Sequence, residues 1–409
     1  MNNLKKYKLD ELYKMGSGIS TTKRQSGHGF PFLSFSTIFN NYIIPDNLPD
    51  LMDTTDKQRE ESSIKEGDVF ITRTSETPDE LGMSCVALKD YQDATFSGFA
   101  KRLRPITNEV YPKYIAYYLR APYFRKMINA NTVMTLRASF NDQIFSYMNI
   151  YLPSYDQQVK IGDMLYDIER KISINNRIND NLLQLIMDLY IQQFECFTSN
   201  NSTMKYSDKL KKYIPEDWDV IRINKLVTIE SGYPFNSEHY DKKGIYKLIT
   251  IKNVQDSGID VDTGDRINII PDDLPIYCKL KTKDILLSLT GNVGRVGLMY
   301  TNNCLLNQRV ANVIPFDESL KPYLFCLFKS QTIRITMERI SGGTSQKNLS
   351  PIETGNIFIP FNLEAAKNFS MKCESIISKY VKCLEENLKL TQLRKELLPI
   401  LMNGQVSLT

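Results

Sequence analysis

The chain carries an internal repeat whose second copy follows the first by roughly 210 residues, far more than the about 20–50 residues of a solenoid unit. A repeat of this length predicts a duplicated globular domain. Such a domain presents two similar surfaces, which suits a ligand that itself has two parts. The matched segments are residues 8–12 with 222–226, 66–70 with 282–286, 111–115 with 320–324, and 150–153 with 357–360.

Each copy ends in a long amphipathic segment. Apolar and amide residues recur there at alternating spacings of four and three, which is the a/d pattern of a coiled coil. A helix of about 37 residues would be roughly 55 Å long. When the two segments are superposed, Asn179 falls on Asn387. The predicted seam residues are Ile161, Leu165, Ile168, Ile172, Leu182, Ile186 and Leu189 in the first helix, and Phe369, Ile376, Tyr380, Leu390 and Leu397 in the second.

Two amphipathic helices of this kind most simply pack on each other, since neither apolar stripe is stable in water. The short connections that flank them favour an antiparallel pair, and polar residues in the seam would fix its register. We therefore predict an antiparallel coiled coil in a molecule with a pseudo-twofold repeat. The alternative is two separate helices, each of which caps its own globular domain.

The globular parts are predicted to be α+β. Period-2 stretches bounded by glycine and proline indicate strands, and each copy has one longer helical pattern. A polar stretch after the first long helix indicates a linker. The predicted boundaries are 1–152 for the first globular domain, 153–197 for the first long helix, 198–212 for the linker, 213–360 for the second globular domain and 361–409 for the second long helix.

Bulk composition sets the broad class of protein without identifying a ligand. A hydrophobic content of 42% and a charged content of 24% are typical of soluble globular proteins. The net charge of +4 is compatible with an anionic partner but does not argue for one. The seven cysteines are scattered, and the sequence shows neither a signal peptide nor an apolar run long enough for a membrane. We expect a cytoplasmic protein with reduced thiols.

Motifs for catalysis are weak. The two histidines, His28 and His239, are isolated in loop-like sequence, which disfavours a histidine metal site or a Ser-His-Asp arrangement. The segment 16–23 lacks the glycine that precedes the lysine of a phosphate loop, and 291–297 lacks the helical pattern that would follow in a dinucleotide fold. The sequence also lacks the Asn-Pro-Pro-Tyr motif of amino-methyltransferases. We therefore expect no catalytic, cofactor or metal site in this chain.

Polar loops punctuated by glycine recur at matching places in the two copies. Arginine reads guanine, asparagine and glutamine read adenine, and hydroxyl and backbone N–H groups hold phosphates. Any one of these residues is most simply a solvated loop residue, but several loops in register across two domains favour DNA binding. The candidate DNA-binding residues are Lys23, Arg24, Arg73, Thr74, Lys101, Arg102 and Arg137 in the first copy, and Tyr233, Asn236, Lys252, Asn292, Asn307, Gln308, Arg309, Thr344, Gln346 and Lys347 in the second.

The order and spacing of several segments carry a resemblance to a known family. These segments are residues 214–220 leading to Ser231-Gly232, 283–288 with Gly291, Asn307-Gln308, 342–350, 357–360 and the C-terminal 397–404. In this order they are similar to the specificity (S) subunit of type I restriction-modification enzymes. The resemblance extends over essentially the whole chain in architecture.

The resemblance implies a non-catalytic subunit that reads a split, asymmetric target in double-stranded DNA. Each globular domain would read one half, and the helices would set the gap and dock two methyltransferase (M) subunits. S-adenosylmethionine, ATP and magnesium would reside on partner subunits, which include restriction (R) subunits in the full complex, and none in this chain. Two alternatives stay open from sequence: a self-contained DNA modification or cleavage enzyme, and a coiled-coil assembly protein without a nucleic acid ligand.

Overall fold

A computed structural model describes residues 4–75, 81–131, 138–198, 203–343 and 347–404 of the chain. The chain divides into two compact units. The first consists of Met1–Lys171 together with Leu390–Thr409, and the second of Ile172–Lys389. Each unit therefore combines one globular part with a piece of both long helices.

The described residues of the first unit form eleven short strands and six short helices, followed by the first long helix, which continues into the second unit. The strands are β1 (Lys5–Lys8), β2 (Tyr13–Ser17), β3 (Ser26–Leu33), β4 (Asp50–Met52), β5 (Val69–Thr72), β6 (Thr74–Ser75), β7 (Ser84–Val86), β8 (Thr95–Phe96), β9 (Ala100–Pro105), β10 (Ala138–Ser139) and β11 (Asn149–Leu152). The helices are α1 (Leu9–Leu12), α2 (Phe35–Asn40), α3 (Asp56–Glu61), α4 (Pro112–Tyr118), α5 (Pro122–Asn131), α6 (Asp142–Tyr147) and the long α7 (Tyr155–Tyr190).

A four-stranded antiparallel sheet in the order β2-β9-β5-β7 forms the centre of the first unit. Every residue of β5 is buried, and neighbouring residues along it belong to different apolar clusters: Val69 and Ile71 to one, Phe70 to the other. Because successive side chains of a strand point to opposite faces, both faces of this sheet are covered. This explains why β5 is a continuous apolar run and not an alternating one.

The described part of the second unit contains the remaining strands, three short helices and most of the second long helix. The strands are β12 (Met204–Ser207), β13 (Lys212–Pro215), β14 (Asp219–Arg222), β15 (Val227–Ser231), β16 (Tyr246–Ile249), β17 (Val254–Gln255), β18 (Gly258–Ile259), β19 (Arg266–Ile267), β20 (Lys279–Leu280), β21 (Ile285–Ser288), β22 (Val296–Leu298), β23 (Cys304–Leu306), β24 (Val310–Pro315) and β25 (Phe358–Phe361). The helices are α8 (Lys321–Lys329), α9 (Gln331–Ile340), α10 (Pro351–Gly355) and the long α11 (Leu363–Met402).

The two units repeat one sheet topology. The order β15-β24-β21-β22 matches β2-β9-β5-β7, and the antiparallel pair β14–β25 matches β1–β11. The parallel pair β16–β23 likewise matches β3–β8. The predicted α+β class is confirmed. The range 198–212, predicted as a linker, contains strand β12, which pairs with β13.

The two long helices lie side by side within the second unit. The amide of Asn175 donates to Asn387 at 3.0 Å, and the amide of Gln193 donates to the carbonyl oxygen of Ala365 at 3.4 Å. Higher numbers on α7 thus meet lower numbers on α11, so the two helical segments run in opposite directions here. In the first unit, Arg394 of α11 forms an ion pair with Glu169 of α7.

Burial along the helices corrects one predicted seam position. Leu189 is 40% exposed, whereas Tyr190 is 3% exposed, so the assignment of Leu189 to the seam is wrong. A straight α-helix drifts by about 20° per heptad from a strict 3.5-residue repeat, which moves the buried face on by one residue. The helix continues as a π-turn, Ile191–Glu195. The other seam positions are buried at Ile161, Leu165, Ile168, Ile186, Phe369 and Tyr380 and half-buried at Ile172, Leu182, Ile376, Leu390 and Leu397.

Candidate nucleic-acid interface

Several of the predicted loops meet at one end of the central sheet of the second unit. Because the strands are antiparallel, β15 and β21 finish where β24 begins. Tyr233 forms a parallel bridge with Asn307, and the N–H of Gly291 donates to the carbonyl oxygen of Lys347 at 3.0 Å. The described loop residues 232–236, 289–292, 306–309, 342–343 and 347–349 therefore form one surface, which we call the sheet-end surface of the second unit.

The same end of the sheet in the first unit is built from the loops 18–25, 73–75, 97–99 and 138–140, which we call the sheet-end surface of the first unit. Ile19 forms a parallel bridge with Ser97, in the way that Tyr233 does with Asn307. Lys23 and Arg24 follow β2 in an exposed 3-10 turn, and Arg73 is exposed directly after β5. Three predicted residues thus lie on or beside this surface.

The two surfaces share a set of backbone hydrogen bonds, which we call the sheet-end frame. Five bonds of 2.8–3.0 Å in the first unit have counterparts of 2.8–3.1 Å in the second. In the first unit the N–H donors and carbonyl acceptors are Ile19 to Phe96, Gly98 to Ile19, Ala100 to Ser97, Arg73 to Phe99 and Phe140 to Arg73. In the same order, the second unit has Tyr233 to Leu306, Gln308 to Tyr233, Val310 to Asn307, Leu289 to Arg309 and Leu349 to Leu289. The backbone is the same, and the side chains differ.

Glycine is required at one place in each frame. A Cβ on Gly18 would lie 2.3 Å from the carbonyl oxygen of Ser97, and a Cβ on Gly232 would lie 2.4 Å from that of Leu306. Both distances are far shorter than a van der Waals contact, and the opposing atoms are backbone. The two glycines therefore allow the end of β2 and of β15 to approach the neighbouring loop.

The sheet-end surface of the second unit carries unpaired positive charge. Arg309 and Lys347 are exposed there, and Lys252 is exposed on the next loop. Within the described part of the chain, none of these three side chains forms an ion pair at 4.0 Å or less. Cations without a carboxylate partner are available to phosphates, the groups that dominate the affinity of proteins for DNA.

A cleft of about 570 Å³ opens beside this surface and includes Lys252, Gly291 and Asn292 in its lining. One wall is held by Asp256, which accepts from Arg295 Nη2 and from Arg334 Nη1, each at 2.8 Å. Burial would raise the pKa of Asp256, but the two guanidinium groups outweigh it and hold the pKa below its ordinary value. Neither Arg295 nor Arg334 is among the predicted DNA-binding residues. Residues 256, 295 and 334 are far apart in the sequence, so no local motif indicates this cluster.

Aromatic and amide residues complete the second surface. The Tyr233 hydroxyl donates to Asp273 Oδ1 at 2.8 Å, and its ring packs against Phe235 with centroids 5.1 Å apart. The side chain of Asn236 accepts from the N–H of Glu238 at 3.1 Å and so caps its own 3-10 turn. The carbonyl oxygen of Asn292 accepts from the Ser288 hydroxyl at 2.6 Å, which fixes the turn and leaves the Asn292 side chain exposed.

Two predicted residues of the first copy form hydrogen bonds within their own unit. Lys101 is 9% exposed, and its Nζ donates to Ser17 Oγ at 3.0 Å. Arg102 donates to the carbonyl oxygen of Ser63 at 2.7 Å, and burial together with the nearby Arg104 lowers its pKa. Both cations donate to acceptors inside their own unit, and the DNA contacts of Lys101 and Arg102 stay predictions.

Other predicted residues cannot be placed. Arg137, Thr344 and Gln346 lie outside the described residues, as does the side chain of Thr74. Among the described residues, no group of three or more His, Cys, Asp or Glu side chains could hold a metal ion. In the same part of the chain, each helix is too short or too polar to cross a membrane.

Phe99 is a further residue of this surface that is not among the predicted DNA-binding residues. This side chain is 64% exposed on the sheet-end surface of the first unit, at the position that Arg309 holds in the second. A single exposed apolar side chain is common on protein surfaces, but its place in the sheet-end frame makes Phe99 a candidate contact residue. The signal was present in the repeat, since an alignment of the loops before β9 and β24 pairs Phe99 with Arg309.

Relatives of this chain are specificity subunits by name. The chain is 26% identical over 275 residues to the type I restriction enzyme MjaVIII specificity subunit of Methanocaldococcus jannaschii, an alignment that covers 64% of this chain and 63% of that protein. It is 20% identical to the type I restriction enzyme HindI specificity subunit of Haemophilus influenzae, over 99% of this chain and 100% of that protein.

A solved structure with the same fold is the S subunit of a type I restriction-modification system from M. genitalium. The two chains share 14% sequence identity and a TM-score of 0.63, over 98% of this chain and 96% of the other. The family model described as "Type I restriction modification DNA specificity domain" matches residues 1–184 and 215–397. The chain therefore belongs to the type I restriction modification DNA specificity domain family and carries two copies of that domain.

Proposed function

We propose that this chain is the DNA sequence-specificity subunit of a type I restriction-modification system and that each unit reads one half of a split, asymmetric target. The observation that carries the proposal is the sheet-end frame, which repeats in both units while the side chains that it presents differ. Identical surfaces would read identical half-sites. Two surfaces on one frame with different side chains read two different half-sites.

The long helices set the distance between the half-sites. We propose that α7 and α11 form an antiparallel coiled coil in a pseudo-twofold molecule, as the opposed contacts of Asn175 with Asn387 and of Gln193 with Ala365 support. The 36 residues of α7 correspond to roughly 54 Å of helix. One turn of DNA is about 34 Å long, so the helices are long enough to leave unread base pairs between the half-sites.

The chemistry of modification and cleavage belongs to other subunits. Two methyltransferase subunits would dock on the helices and bring S-adenosylmethionine to adenines flipped out of each half-site. Restriction subunits would add ATP- and magnesium-dependent translocation. The complex would act in the cytoplasm. A self-contained modification or cleavage enzyme is the competing function, and no contact among the described residues favours it.

Detection of methylated adenines by long-read sequencing tests the proposal. Genomic DNA is compared between cells with this gene, cells without it, and cells in which the gene is restored. We expect one bipartite motif with an unread gap to vanish and return with the gene. Absence of any gene-dependent motif, in cells that express the methyltransferase subunits, would sink the proposal. Methyl transfer by the purified chain alone, with S-adenosylmethionine and DNA, would favour the competing enzyme.

A further inference from the structure

Each sheet-end frame presents one side chain from the turn that precedes the strand β9 or β24. In the first unit this side chain is Phe99, whose carbonyl oxygen accepts from the N–H of Arg73 at 2.8 Å. In the second unit it is Arg309, whose carbonyl oxygen accepts from the N–H of Leu289 at 3.0 Å. The bonds fix the two backbones in the same way, so Phe99 and Arg309 occupy equivalent positions.

The two equivalent side chains have opposite chemistry. Phe99 is apolar and 64% exposed, although the rest of the loop is anchored by buried residues such as Ser97. Arg309 is an exposed cation without an ion pair among the described residues. The preceding residue differs in the same sense, because Gly98 stands where the second unit has Gln308. The same backbone therefore presents an apolar side chain in one unit and a cationic side chain in the other. Because the fold requires neither, we attribute the difference to what each unit recognises.

The two chemistries correspond to different base edges. An arginine fork donates two hydrogen bonds to O6 and N7 of guanine in the major groove. A phenylalanine ring offers no hydrogen bond and recognises the C5-methyl group of thymine by apolar contact. A contact to phosphate would not suit Phe99, because an apolar ring gains nothing from an anion.

We propose that Phe99 and Arg309 are the equivalent specificity-determining residues of the two half-sites, with Arg309 reading a guanine and Phe99 a thymine methyl group. The proposal rests on the proposed function, because it assumes that the sheet-end surfaces face DNA. It goes further by assigning a base to one residue in each unit. It also separates Arg309 from Lys347 and Lys252, which neutralise phosphates and leave the identity of the base unread.

Base analogues test both assignments in the complete complex of this chain with its methyltransferase subunits. The target is first identified from the methylated motif, and duplexes are then made with 7-deazaguanine, which lacks N7, or with deoxyuridine, which lacks the methyl group. We expect one 7-deazaguanine substitution to weaken binding by roughly tenfold in the parent complex and not at all in Arg309→Ala. One deoxyuridine substitution in the other half-site should weaken binding by several-fold in the parent complex and not in Phe99→Ala.

The control is Lys281→Ala, which removes an exposed lysine from the opposite end of β21. Its sensitivity to both analogues should equal that of the parent complex. The assignment of Arg309 is overturned if Arg309→Ala keeps full sensitivity to 7-deazaguanine, or if neither half-site contains a guanine on either strand. Unchanged sensitivity to deoxyuridine in Phe99→Ala overturns the assignment of Phe99. The assignment of Phe99 is also overturned if both variants change the binding of the same half-site.

These failures differ from a failure of the proposed function. If the complex methylates a bipartite motif but the two variants respond like the parent, the base assignments are wrong and the subunit role stands. If no bipartite motif depends on this chain, the proposed function itself is wrong. An additional exchange, Phe99→Arg, is expected to lower the preference for thymine at that position and raise the preference for guanine. Retention of the original base preference at full affinity would contradict the equivalence of the two positions.

Discussion

Asn175 and Asn387 are bonded to each other between the long helices of the second unit, with Nδ2 of Asn175 donating to Oδ1 of Asn387 at 3.0 Å. The same amide donates to Glu386 at 2.8 Å, and Asn387 donates to Asn176 at 2.7 Å. Asn175 is 1% exposed. A buried amide without partners costs about 1–3 kcal/mol, so this cluster disfavours every register in which the two asparagines do not meet.

Replacement of Asn387 on α11 and of Asn179 on α7 by leucine should change the free energy of unfolding in opposite directions. Asn387→Leu removes an acceptor of Asn175 and should lower the free energy of unfolding by about 1–2 kcal/mol. Asn179 is 5% exposed, and both polar atoms of its side chain lack a partner among the described residues. Asn179→Leu should therefore raise the free energy of unfolding by about 1–2 kcal/mol. Urea denaturation of both variants measures the difference, and a loss of stability in Asn179→Leu would contradict the assignment of that amide as unsatisfied.

Addition of one methyl group at Gly18 or Gly232 should disrupt the sheet-end frame. The new Cβ would press on a backbone oxygen at 2.3 or 2.4 Å, so we expect Gly232→Ala to lower the free energy of unfolding by about 1–3 kcal/mol. Hydrogen exchange should increase at the N–H groups of Tyr233 and Gln308. The matched control is Gly342→Ala, because no atom lies within 4 Å of a Cβ at that position. Equal destabilisation by the two substitutions would mean that the close approach is not the cause.

Two equivalent aspartates should respond differently to replacement by asparagine. Asp68 accepts two hydrogen bonds from Arg104, at 2.8 and 2.7 Å, whereas Lys321 Nζ lies 4.0 Å from Asp284 Oδ1. Asp68→Asn should cost about 2–3 kcal/mol at neutral pH, because the guanidinium loses its charged partner. Burial raises the pKa of Asp284, so its carboxylate form destabilises the fold above the unfolded pKa of about 3.8.

Asp284→Asn removes that penalty and should stabilise the second unit at pH 7. The gain should shrink as the pH falls toward 3.8, where the parent carboxyl becomes protonated. Thermal unfolding at pH 7 and at pH 4 measures both variants, and hydrogen exchange of β5 and β21 shows which unit responds. A gain for Asp284→Asn that grows as the pH falls would have the wrong sign and would contradict the role of burial.

Lengthening both long helices should change the unread gap and leave the bases as they are. Seven residues inserted in the a/d pattern of α7 and seven at the matching place of α11 add about 10 Å, or about three base pairs of DNA. Methylated motifs of the variant, obtained by long-read sequencing, should keep both half-sites and differ in the length between them. An altered half-site with an unaltered gap would show that the helices do not act as the spacer.

Lysines near the second sheet-end surface should contribute charge without sequence preference. We expect Lys252→Ala and Lys347→Ala each to lower the slope of log K against log salt by about one and to weaken binding to all sequences alike. Lys281→Ala is the control, since this exposed lysine precedes β21 at the other end of the sheet. A loss restricted to one base position would instead make the substituted lysine a reader of that base.

The sequence predicts the repeat, the α+β class and the long helices, because these depend on periodicity and segment order. It does not predict the internal hydrogen bonds of Lys101 and Arg102, since a basic pair in a strand indicates a surface unless the acceptors inside the unit are known. Those acceptors, Ser17 and Ser63, come from distant parts of the chain. Leu189 was misassigned because a strict heptad and a straight helix diverge with length. A local sequence pattern contains neither the hydrogen-bond partners that are distant in sequence nor the accumulated drift of a straight helix from a strict heptad.

The division of the chain has a consequence for synthesis. Leu398, Leu401 and Met402 of α11 belong to the apolar core of the first unit, together with Leu9 and Leu12 near the N-terminus. A ribosome makes residues 1–171 long before it reaches 390–409, so the domain that is translated first completes its core last. The second unit, whose residues are contiguous, can close while the first still waits for its final helix turns. Loss of the last turns of α11 alone, from Leu390 onward, would therefore damage the first unit more than the second.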